Sequence, residues 1–60
     1  MSTGTGQHLL RVGEVAGIMR VSTMTVYRLI RAGELTATRV GRGYRIWEHD
    51  VVAYLARRSS

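Results

Sequence analysis

The sixty residues include nine arginines, no lysine, four acids and no cysteine, for a net charge of +5. A chain this short supports one domain with a small core, burying about 60% of the surface that its unfolded form exposes. Lack of cysteine excludes disulfides and cysteine-held zinc as staples, and the basic excess implies a polyanionic partner, nucleic acid above all.

No stretch has the length of a membrane span or the pattern of a secretory signal, so a cytoplasmic protein is expected. Arginine supplies a planar fork that fits phosphates and guanine edges, although a G+C-rich genome would favour the same residue. Residues 1–8 are expected to be a disordered tail, with His8 a solvated flank, and residues 9–58 the folded domain.

Val12, Val15, Ala16 and Met19 follow an i, i+3, i+4, i+7 spacing, which predicts a first helix from Val12 to Met19. Arg11 falls at its N-cap and is a poor capper. Glu14 is placed to reach back to the Arg11 N–H and suits the helix dipole. Gly17 either admits a close approach of the next helix or is a tolerated defect. Arg20-Val21 forms the turn, and position 20 calls for a left-handed backbone that glycine adopts more readily.

Ser22 is a good N-cap and Gly33 a good residue just past a helix end. The ten residues between them form the second helix, with Val26, Leu29 and Ile30 as its apolar stripe. Thr23, Met24, Tyr27, Arg28 and Arg31 fall largely off that stripe, and no acid occurs from Val15 to Gly33. A short helix with one buried side and Arg, Tyr and Thr on the other suits a DNA major groove. A solvated face with two arginines is the plainer alternative.

Beyond Gly33 the period changes. Leu35, Ala37 and Arg39 alternate with Thr36, Thr38 and Val40, which predicts a short strand. Gly41-Arg42-Gly43 makes a tight turn, and Tyr44-Arg45-Ile46 returns. This hairpin is a wing with Arg42 at its tip, flanked by Arg39 and Arg45. A third helix is predicted from Glu48 to Arg58, with acids in its first turn and arginines in its last. Val51, Tyr54 and Leu55 form its stripe. Trp47 falls at the hairpin–helix junction, to pack there or to stack on DNA, and His49 is expected in solvent. The fold expected is mainly α with a small β-hairpin, a minimal winged helix-turn-helix.

Glu14-Val15-Ala16, Val21-Ser22, Thr25-Val26-Tyr27, Gly33-Glu34-Leu35, Val40-Gly41-Arg42 and Tyr44-Arg45-Ile46 together resemble the excisionase-type domain. That domain is related to the DNA-binding headpiece of MerR-type regulators. The resemblance runs from about Leu10 to Leu55. It implies that the second helix enters the major groove and the wing tip the minor groove. Met24 and Arg28 would then face base edges, Tyr27 and Arg31 would lie by phosphates, and Arg42 would enter the minor groove. The candidate DNA-contacting residues are Thr23, Met24, Thr25, Tyr27, Arg28, Arg31, Arg39, Arg42, Tyr44 and Arg45. The chain departs from the family pattern at Arg11, where Ser or Thr is usual, at Arg20 for Gly, and at Thr36 for Pro.

The function expected from the resemblance is that of an excisionase, which binds and bends double-stranded DNA and directs an integrase toward excision. A small stand-alone transcription regulator is the alternative. A protein-interaction module for an acidic partner is a third reading. No effector domain or heptad run is seen up to Ser60, which favours the excisionase reading and a monomer that assembles cooperatively, head to tail, on DNA. No nucleophile–base arrangement or paired carboxylate points to an enzyme, and no cofactor or metal is expected.

Overall fold

The computed structural model describes residues 8–59; the rest of the expected tail, residues 1–7, lies outside them. The elements in order are β1 (Leu9–Arg11), α1 (Val12–Met19), α2 (Thr23–Arg31), β2 (Thr38–Val40), β3 (Gly43–Trp47) and α3 (Glu48–Ser59). This is a minimal winged helix-turn-helix, three helices against a small antiparallel sheet.

The first helix has its predicted bounds. Arg11 is extended at its N-cap, and its N–H donates to Glu14 Oε1 at 2.8 Å. A guanidinium has no acceptor, so only the acidic half of a capping box forms. The helix ends on Arg20, at φ 62° and ψ 44°, and the Val21 N–H closes back on the Ala16 carbonyl at 3.0 Å. Arg20 is the one non-glycine residue with positive φ among the described residues, a conformation that costs an L-residue about 1–2 kcal/mol. Gly17 is exposed, and a Cβ there would meet nothing within 4 Å. No close helix approach needs it, so it is a tolerated defect of helix propensity.

Ser22 caps α2 by accepting from the Thr25 N–H at 3.2 Å. The helix is nine residues long rather than ten, because Ala32 serves as its C-cap. Gly33, at φ 78°, then lets the Gly33 N–H reach Ile30 O at 3.1 Å and the Glu34 N–H reach Leu29 O at 2.9 Å. That pair of bonds is a Schellman closure, which satisfies two carbonyls of the last turn. The Arg57 guanidinium donates to the Glu34 carbonyl at 2.9 Å and ties this corner to α3.

The sheet differs from the expected two-stranded wing. It has three strands in the order β1-β3-β2, with Leu9, Leu10 and Arg11 opposite Trp47, Ile46 and Arg45. Three residues are too few to display an alternation, so β1 is specified by its partner. The ladder continues one step further, where the Glu48 N–H donates to the His8 carbonyl at 2.8 Å. This bond satisfies one of the free donors at the start of α3 and ties in His8, which had been counted with the tail. The wing strand begins at Thr38, not Leu35. The Leu35 N–H still donates to Leu29 O at 3.2 Å, so Leu35 belongs to the close of α2 while its side chain enters the core.

Val12, Val15 and Ala16 of α1 meet Val26 of α2, Leu35, Ile46 of β3, and Val51 and Tyr54 of α3 in a single core. Leu29, Ile30 and Leu55 pack at its margin, completing the predicted stripes. The third helix runs one residue past the expected Arg58.

Candidate nucleic-acid interface

Burying Val26 completely turns the opposite side of α2 outward. Thr23, Met24, Tyr27, Arg28 and Arg31 are all exposed, as their spacing predicted. Met24, Tyr27, Arg28 and Arg31 follow at i, i+3, i+4, i+7 and form one helix face.

Alternation along β3 decides which wing residues join that face. Ile46 is fully buried, so Tyr44, two positions earlier, lies on the same side of the sheet, and Arg45 lies on the other. Arg39 is opposite Tyr44 in the register, and its guanidinium stands 5.5 Å from the Tyr44 ring centre. On the helix side Tyr44 meets Tyr27 edge to face, with centroids 6.2 Å apart at 65°. Arg39, Tyr44 and Tyr27 thus form a continuous chain of contacts from wing to helix. Together with Thr23, Met24, Arg28 and Arg31, the two tyrosines line an open depression of about 520 Å³.

The hairpin turn is Gly41-Arg42, closed by the Val40–Gly43 pair. Gly41 has φ 59° and Arg42 does not share the positive φ, the φ pattern of a II′ turn. Arg42 is therefore exposed at the apex, as expected. Arg45 turns toward the tip: its Nη1 donates to the Tyr44 carbonyl at 3.1 Å and lies 3.6 Å from where a Cβ on Gly43 would sit. Arg39, Arg42 and Arg45 surround the wing tip. Arg28, Arg31, Arg39 and Arg42 form no ion pair among the described residues, so their charge is available to an anion.

Two candidates are placed elsewhere. Thr25 is half-buried and in contact with the Ser22 hydroxyl at 3.2 Å; it lines a separate groove with Met19, Val21, Leu29, Tyr54 and Leu55. Trp47 stacks on His49, with rings 6.1 Å apart and 6° from parallel, at the sheet–α3 junction. The Tyr27–Tyr44 contact was not foreseen from the sequence. The signal for it was present, since Tyr44 shares the parity of the core residue Ile46 and so had to face the helices.

Among the described residues no cluster of His, Cys, Asp or Glu could hold a metal, and no helix is long and apolar enough to cross a membrane.

Comparison with known proteins agrees with this geometry. The chain is 66% identical over 38 residues to "Putative DNA-binding protein Rv0500A" of Mycobacterium tuberculosis, a match covering 63% of this chain and 49% of that protein. It is 51% identical over 43 residues to the uncharacterized protein YvgK of Bacillus subtilis, covering 72% of this chain and 14% of the other. A mycobacterial relative, the uncharacterized protein Mb2337 of Mycobacterium bovis, is 44% identical over 45 residues, 75% of this chain and 40% of its own length. The matches thus span half or less of these relatives. No solved structure gives a significant match. Residues 9–59 match the family described as "Helix-turn-helix domain", and the chain belongs to that family.

Proposed function

We propose that the protein binds double-stranded DNA, with α2 in the major groove and the wing tip at the adjacent minor groove. The observation that carries this reading is the continuous basic surface from Arg28 and Arg31 through Tyr27 and Tyr44 to Arg39. A helix of this length fits the major groove, and Arg42 between two glycines suits a narrow groove with strong negative potential. The name carried by the mycobacterial relative supports the same reading. If about five arginines neutralise phosphates, log K falls against log salt with a slope of about −4 to −5. Binding that is indifferent to salt would remove the proposal, and salt-sensitive binding to an acidic protein but not to DNA would favour an interaction module.

On the strength of the motif resemblance, the finer role is that of an excisionase-type accessory factor that bends DNA for an integrase. One small headpiece makes few base contacts, so copies would bind tandem sites cooperatively, head to tail, a contact that does not close on itself. Mobility-shift and bending assays on probes with one, two and three sites test this. Cooperative binding with curvature growing at each site is expected. Independent binding with no added bend supports a transcription regulator instead.

A further inference from the structure

The depression between α2 and the wing has an unusual chemical vocabulary. Helix α2, Thr-Met-Thr-Val-Tyr-Arg-Leu-Ile-Arg, holds no Asn, Gln, Asp or Glu. The whole chain has no Asn, and its one Gln is Gln7, outside the described residues. Asn and Gln are the side chains that grip adenine at two points, while Asp and Glu accept from the cytosine amino group. The four acids lie elsewhere: Glu14 is bonded to the Arg11 N–H, Glu34 follows the end of α2, and Glu48 and Asp50 open α3. On the α2 face there remain the guanidinium groups of Arg28 and Arg31, which suit guanine and phosphate, the hydroxyls of Thr23 and Tyr27, which discriminate little, and the thioether of Met24.

Met24 is 64% exposed, more than any other large apolar side chain among the described residues. It stands one turn before Arg28, beside the edge-to-face rings of Tyr27 and Tyr44. Thymine is the one base that offers the major groove a methyl group, and a flexible, polarisable thioether packs readily against such a group. We propose that Met24 reads the 5-methyl group of a thymine, so that the major-groove contacts of α2 are limited in kind to thymine methyls and guanine edges. This rests on the DNA-binding reading above.

Deoxyuridine tests it directly, because it pairs as thymidine does and lacks only the methyl. Random duplex pools made with thymidine or with deoxyuridine are selected in parallel by the protein, and the best site is then measured with single replacements. The expected result is a site with a thymine whose change to uracil weakens binding about fourfold, the worth of one buried methyl group. Met24→Ala, exposed and so expected to fold, binds the two forms equally, and Met24→Leu restores the preference. Equal affinity of the unaltered protein for both forms overturns the proposal, as does a full preference retained by Met24→Ala. Absence of salt-sensitive binding to either pool is a different failure, which removes the DNA-binding reading itself.

Discussion

Helix α2 and the outer strand of the wing both carry candidate contacts, yet they are held in different ways. Helix α2 has Val26 fully buried beneath it, a side-chain cap at one end and a Schellman closure at the other. All three residues of β2 are exposed, and the strand is held by its ladder with β3 and by Arg39 on Tyr44. Helix α2 is placed by the core directly, whereas β2 is placed only through β3, by backbone pairing and the contact of Arg39 with Tyr44. The helix therefore suits contacts needing a fixed position, and the wing suits contacts that follow the shape of the duplex.

The largest expected effect comes from attacking the core beneath the helix. Val26→Asp buries an unpaired carboxylate, which costs several kcal/mol in a small domain with little to spare. Circular dichroism should find the protein unfolded, the wing with it. A folded, DNA-binding Val26→Asp variant would mean that the helix does not depend on the core as described.

Next come the two arginines that represent the limbs. Arg28→Ala is expected to cost about 1–3 kcal/mol on the preferred site and to relax preference at one base pair. Arg42→Ala should weaken binding more when flanks are A·T-rich than when they are G·C-rich, because a narrow minor groove attracts the tip. Equal losses on both flanks would reduce Arg42 to a phosphate contact and blur the distinction between the limbs.

Tyr44→Ala is the sharper test of the wing's attachment. It removes an edge-to-face pair worth about 0.5–1.5 kcal/mol and a cation–π contact worth about 0.5–1 kcal/mol at an exposed site. Hydrogen exchange should quicken at the amides of β2 more than at those of α2. Equal loss in both would show that the wing is part of the core's cooperative unit.

The smallest effects should be gains. Arg20→Gly relieves a left-handed arginine, a strain of about 1–2 kcal/mol partly offset by glycine's greater freedom in the unfolded chain, and Gly17→Ala removes an exposed glycine from a helix, worth up to about 1 kcal/mol. Both lie in the helix-turn-helix half, so thermal unfolding of the whole domain should move up. If Arg20→Gly also weakens DNA binding, Arg20 is a phosphate contact held in place despite its strain.

The helical half was readable because its signals are local. Ser22, Gly33 and the spacing of Val12, Val15, Ala16 and Met19 each act within a turn or two, and the backbone at Arg20 follows from the closeness of two helix ends. The exposed side of α2 was readable for the same reason, since burying Val26 determines where Met24 and Arg28 must point. Strand β1 was not readable, because Leu9-Leu10-Arg11 becomes a strand only through residues 45–47. The early start assigned to the wing strand had the opposite cause. Leu35 and Ala37 alternate as a strand would, while the Leu35 N–H is already taken by the end of α2. The Tyr27–Tyr44 contact needed both limbs in place before it could be seen.

The pairing of β1 with β3 also bears on how force enters the domain. As an edge strand of three residues, β1 is held to its sheet by β3 alone, thirty-eight positions away at Leu9 and Trp47. A pull transmitted from the residues before His8 loads that short ladder first, bond by bond, rather than the core beneath α2. The first bond to part, from the Glu48 N–H to the His8 carbonyl, is the one that helps begin α3. A tether attached on that side therefore acts first as a lever on the sheet and the start of the third helix, and reaches the core beneath α2 only through α1, which follows β1 without a break.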